Sequence, residues 1–107
     1  MNMYEEAWRN IVRPTQIKSK MSAYGPRERV IDGRTVFRKD LIVVNRNQKK
    51  LEGFLFFCPQ IDTNETVLYL HGNGGSKLEA MPLVELITKF GMNLAAFDLP
   101  GCGNSDP

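Results

Sequence analysis

No stretch of this 107-residue chain approaches the roughly 20 apolar residues that a membrane span requires. The opening Met-Asn-Met-Tyr-Glu-Glu lacks a basic region followed by an apolar one, so it reads as neither a secretory nor a transit signal. Asn2 excludes the myristoylation pattern, which needs glycine at that position. A cytoplasmic location is therefore the default expectation. Histidine occurs once, as His71, and cysteine twice, as Cys58 and Cys102, far apart and outside any metal-spaced cluster. A structural zinc site has too few soft ligands, and both cysteines are expected to be ordinary buried thiols. What the chain does contain, 42% hydrophobic and 24% charged residues, fits one ordinary domain.

The net charge of +2 hides an uneven distribution. Residues 1–50 hold 12 Lys/Arg against 5 Asp/Glu, a net of +7, and residues 51–107 hold 2 against 7, a net of −5. Binding to nucleic acid needs a basic patch together with a reading element or stacking aromatics. Neither accompanies the basic half, so no nucleic-acid partner is expected.

Tyr4, Trp8, Ile11 and Val12 have the spacing of one helical face, and Arg13-Pro14 ends that helix. From there to about Arg38 the chain reads as a loop-rich extension, with turn signals at Gly25-Pro26 and Asp32-Gly33. Four short apolar runs follow: Leu41–Val44, Phe54–Phe57, Val67–Leu70 and Leu94–Phe97. Their length and polar boundaries fit strands buried on both faces, the first two joined by a hairpin turn at Asn45–Gln48. Leu83, Leu86, Ile87 and Phe90 mark a helix between the third and fourth runs, with Gly91 as its stop. Ser76 has capping-box spacing to Glu79, whereas Pro82 argues for a start or kink near 82. The order strand, strand, strand, helix, strand ends in a βαβ unit. The fold class is α/β, with an extension over 1–38 and a core over 39–107.

The chemistry-bearing segment runs from Thr66 to Pro107. A strand leads directly into His71-Gly72-Asn73-Gly74-Gly75 and then a helix, an arrangement that gathers backbone N–H groups around negative charge. That charge is a phosphate, a carboxylate or the transient oxyanion of acyl transfer. No window around Lys77 fits a P-loop. Gly72, Gly74 and Lys77 give G-x-G-x-x-K, which lacks the third glycine of a dinucleotide fingerprint, although Asp98 ends the next strand where such folds hold ribose. The third reading is an oxyanion loop of the H-G-x-G type.

The next strand ends in Phe97-Asp98-Leu99-Pro100-Gly101-Cys102-Gly103-Asn104-Ser105-Asp106. HGNGG paired at this separation with FDLPGCGNSD resembles the α/β-hydrolase superfamily. Arg13-Pro14 and Tyr24-Gly25-Pro26 are similar to the N-terminal stretch of its serine-aminopeptidase-like branch in protists and plants. The resemblance spans roughly residues 13–107. It implies that Asn73 presents its backbone N–H to an oxyanion, and that His71, Gly72, Gly74 and Gly75 shape the loop. It also implies that Asp98, Gly101, Gly103 and Ser105 brace the loop from the neighbouring turn. The four strands would lie in the order 1-2-4-3, as the N-terminal half of the family's sheet. No cofactor is implied, and the substrate of the complete protein would be a small-molecule or peptide acyl compound.

A serine hydrolase also needs a nucleophile in G-x-S-x-G, then an acid, then a histidine. The serines are Ser19, Ser22, Ser76 and Ser105, and the near-match Gly103-Asn104-Ser105-Asp106-Pro107 ends in proline. His71 precedes every candidate elbow, so a triad in the family's order is impossible. The chain is expected to be the N-terminal fragment of a hydrolase, inactive alone, ending in an Asp-Pro that caps no element. A non-catalytic anion- or nucleotide-binding module built on the glycine-rich loop is the alternative.

Overall fold

The computed structural model describes residues 24–61 and 63–107. The helical spacing at Tyr4–Val12 and the Arg13-Pro14 stop lie outside the described residues. Five strands form one mixed sheet: β1 (Glu28–Ile31), β2 (Arg34–Val44), β3 (Lys50–Phe57), β4 (Thr66–Tyr69) and β5 (Asn93–Phe97), in the order β1-β2-β3-β5-β4. β1, β2, β3 and β5 pair antiparallel in that order, and β4 pairs parallel with β5. The four expected strands correspond to β2, β3, β4 and β5, and their spatial order agrees with 1-2-4-3.

The loop reading of residues 28–38 is corrected. Asp32 and Gly33 both have positive φ, 51° and 75°, and join Ile31 to Arg34 as the two-residue turn of a hairpin. Residues 34–38 are the first half of β2, so the boundary proposed at 38/39 falls inside a strand. Glu28-Arg29-Val30-Ile31 is too polar to announce itself by periodicity. The turn dipeptide was the available signal. At the other hairpin, the Asn45 side chain accepts the N–H groups of Asn47 and Lys49, and Gln48 takes a φ of 62°.

Both candidate helix starts are used. Ser76 caps a 3₁₀ segment (Lys77–Leu83), its hydroxyl accepting the Leu78 N–H at 3.2 Å, and an α-helix, α1 (Val84–Lys89), begins after Pro82. Glu79 does not return to Ser76 as a capping box would; its carboxylate is engaged elsewhere. Met92 N–H bonds to Ile87 C=O and Gly91 N–H to Thr88 C=O, which is the Schellman stop expected at Gly91.

The inward face of the helix is half the expected one, since Leu83 and Ile87 pack against the core. Ala80, Val84 and Thr88 are buried, whereas Leu86 and Phe90 are exposed. Thr88 is tolerated inside because its hydroxyl donates to Val84 C=O at 2.7 Å, so a polar residue lies where an apolar pattern does not look for one. The core gathers Val36, Phe54, Phe56, Leu94 and Ala96 from the sheet against Ala80 and Val84. Edge-to-face ring contacts link Tyr24 to Phe54 and Phe54 to Phe56.

Among the described residues the opposite face of the sheet is apolar but open, so within them the strands are not buried on both faces as expected. Phe37 stacks on Phe57 there, while Val43, Leu68 and Leu70 remain 45%, 55% and 63% exposed. β4 pairs on one side only and forms a sheet edge among the described residues. No helix among those residues is long and apolar enough to cross a membrane. An uncovered apolar face beside an unpaired edge favours self-association. Residues 1–107 are expected to sediment as oligomers at micromolar concentration and to bind an apolar dye. Val43→Lys with Leu68→Lys should lower both signals. A dye-free monomer in the unsubstituted chain would contradict this.

Candidate functional site

β4 delivers the loop at His71–Gly75, and β5 delivers the turn at Asp98–Ser105 beside it, because the two strands are parallel neighbours. In the loop, Gly75 N–H bonds to Gly72 C=O at 3.0 Å and Gly74 has a φ of 76°, as the third position of a type II turn demands. Asn73 is exposed at the second position of that turn. Beneath it, Glu79 accepts from Gly72 N–H at 3.4 Å and from the Tyr69 hydroxyl at 3.3 Å.

His71 is 7% exposed and bridges the two segments. Its Nε2 accepts the Leu99 N–H at 3.0 Å, and its Nδ1 lies 2.8 Å from Gly72 C=O. The tautomer that serves both contacts carries its proton on Nδ1 and leaves Nε2 to accept. This histidine holds backbone in place.

Asp98 and Lys77 have no exposed surface. One Asp98 oxygen accepts Lys77 N–H at 2.8 Å, and the other receives the Lys77 ammonium at 2.5 Å and Asn104 N–H at 2.9 Å. The ammonium also lies 3.7 Å from Glu52 and 4.7 Å from the centre of the Tyr24 ring. Tyr24 donates its hydroxyl hydrogen to Glu52 at 2.7 Å, and the Asn104 amide bonds to both Tyr24 and Glu52. Ser105, equally buried, donates to Asp98 C=O at 2.5 Å and accepts Glu52 N–H at 2.9 Å. Its hydroxyl is committed to the turn.

Gly103 is required where it stands. Its φ is 48°, and a Cβ built there would run into the Asp98 carboxylate. The Asp-Pro end is corrected as well. The Asp106 backbone bonds Lys50 C=O, and its carboxylate accepts Lys50 N–H at 2.8 Å, so it pins the start of β3.

Burial pulls the Lys77 ammonium toward deprotonation, but its hydrogen bonds to Asp98 and Tyr24 prevail and hold its pKa above the ordinary lysine value. Burial pushes the Tyr24 phenol up, and its bond to Lys77 offsets part of that rise. Lys77, Glu52 and Tyr24 were not singled out as site residues from sequence. Two signals pointed to them: a lysine in place of the fingerprint's third glycine, and a carboxylate alternating with Phe54 and Phe56 on the inward side of β3.

Among the described residues, no group of three or more His, Cys, Asp or Glu is placed to hold a metal ion. A cavity of about 100 Å³ lined by Ile31, Arg34, Val36, Ile61, Thr88 and Lys89 involves no residue of the loop or turn. The Cys58 thiol is buried as expected; Cys102 is half-buried.

No protein-family model matches the chain, and no curated protein matches it significantly. Solved structures do. The Pyrococcus furiosus esterase Pf2001 superposes with a TM-score of 0.57 at 29% identity in one crystal form. Two further forms give 0.56 at 29% and 0.56 at 30%. In each, the match covers 65% of this chain and 27% of the esterase, so the chain spans about a quarter of the length of the structures it matches. The fold is esterase-like.

Lys77→Met would strand the Asp98 charge in a dry interior and is expected to cost about 3–5 kcal/mol of stability. Gly103→Ala should cost at least about 1–2 kcal/mol from the left-handed backbone alone. Both are measured by urea denaturation. Lys77 and Tyr24 each bind their proton more tightly when folded, so their stabilisation is complete below the ordinary values of 10.5 and 10.0. It is lost as pH rises through the folded values. Thermal melts should therefore decline above about pH 10, and Tyr24→Phe should remove the tyrosine's share.

Proposed function

We propose that residues 71–105 form the oxyanion-loop portion of a serine hydrolase whose complete form cleaves an ester, thioester or amide through an acyl-enzyme. Asn73 presents its backbone N–H to the oxyanion. His71, Gly72, Gly74 and Gly75 shape the loop, while Asp98, Gly101, Gly103 and Ser105 brace it. The observation that carries this reading is the double attachment of Lys77, by N–H and ammonium, to Asp98, which joins the loop's helix to the turn. The likeness to an esterase supports it. The serine-aminopeptidase-like branch is the finer assignment within this proposal, resting on Arg13-Pro14 and Tyr24-Gly25-Pro26. The hydrolase core takes in the whole of β2 from Arg34, and the described part of the segment before it adds β1 and the Tyr24 contact. The substrate is a small-molecule or peptide acyl compound, and the compartment is the cytoplasm.

The nucleophile, acid and catalytic histidine belong to residues outside these 107. Ser105 is buried with its hydroxyl engaged on both sides, and His71 is held between Leu99 and Gly72. Neither is free to serve. The anion- or nucleotide-binding alternative has less support, because the loop's amides already meet partners in the chain. Gly72 N–H meets Glu79, Lys77 N–H meets Asp98 and Leu78 N–H meets Ser76.

Residues 1–107 should show no turnover of an activated ester and no covalent capture of a fluorophosphonate. Capture at Ser105, lost in Ser105→Ala, would sink the claim of inactivity. A product of esterase length containing these residues should be labelled at a serine in a G-x-S-x-G elbow. If that longer product resists labelling and binds a dinucleotide instead, the hydrolase reading falls.

A further inference from the structure

We propose that Lys77 is a positioning residue for the oxyanion loop, an assignment that rests on the hydrolase reading above. Between His71 and Ser76 the backbone closes one turn, Gly75 to Gly72, and side chains tie the segment to its surroundings: His71 to Leu99, Glu79 to Gly72, and the Asp98 carboxylate to Lys77 N–H. The Lys77 anchor differs in kind. Its N–H fixes the chain directly after Ser76, and its ammonium fixes the same carboxylate from the other side. Both Asp98 oxygens are therefore committed, and the second one also holds Asn104 in the facing turn.

Charge makes this clamp rigid. A neutral hydrogen bond tolerates exchange with water, but a buried ammonium and carboxylate have already given up their hydration, and that loss goes uncompensated if the partner moves. The groups facing the ammonium are Asp98, Glu52 and the Tyr24 ring, with Asn104 completing the ring of partners around Glu52 and Tyr24. Any sliding of the loop relative to the turn breaks this set, so the register between the two segments is held to one arrangement. An oxyanion donor placed by that register is pre-organised before substrate arrives.

Hydrogen exchange read by mass spectrometry separates positioning from simple support of the fold. Three segments are compared: the loop (71–77), the turn (98–106) and the core strands β3 and β5. The informative variant is Lys77→Met with Asp98→Leu, which replaces the charged pair by apolar groups of similar shape and spares the core an unpaired charge. Exchange in the loop and turn should accelerate at least tenfold while the core strands stay within twofold of the unsubstituted chain. Lys77→Arg, which keeps the charge, should leave the loop within threefold. Native protection of the loop in the double variant would overturn the proposal, as would equal acceleration of loop and core. This measurement needs no catalysis, so it fails independently of the fluorophosphonate test of the hydrolase reading.

Discussion

A lysine and an aspartate with no exposed surface govern the arrangement around them. Removing two charges from water costs several kcal/mol per ion, a cost offset only when every donor and acceptor finds a partner. That requirement explains the neighbourhood. Asn104 supplies an N–H, Glu52 a second carboxylate, Tyr24 a ring face, and Gly103 the space beside the aspartate. Residues separated by up to 80 positions converge because one buried pair must be satisfied.

The same pair links strand topology to the site. β4 and β5 are parallel neighbours, so the loop leaving one and the turn leaving the other emerge at the same end of the sheet. The helix after the loop covers one face of the sheet with Ala80 and Val84, and its first residue is Lys77. Core packing and site geometry are thus set by one element. The other face of the sheet has no such element among the described residues.

Much of this was legible in the residues. Four apolar runs with turn residues between them indicated the strands, and the HGNGG and FDLPGCGNSD segments marked the strand-to-helix loop and the turn that lies beside it. The hairpin of β1 with β2 was not legible, because Glu28 and Arg29 break the alternation that betrays a half-buried strand. Of the helix's inward face, Leu83 and Ile87 are legible and Thr88 is not, because it hides its hydroxyl in a backbone bond. The buried network was out of reach for a related reason. Sequence patterning treats lysine and glutamate as surface residues, and only a partner distant in the chain turns them into interior ones.

Composition and short-range pattern thus settled the α/β class, the strand-loop-helix unit and the glycine positions, since each follows from residue identity and local spacing. Folding settled which charges are buried, which hydroxyls are spent, and how the loop is held against the turn. Those properties depend on desolvation and on hydrogen bonds between segments far apart in the chain. Neither exists until the sheet brings β3, β5 and the Lys77 segment together.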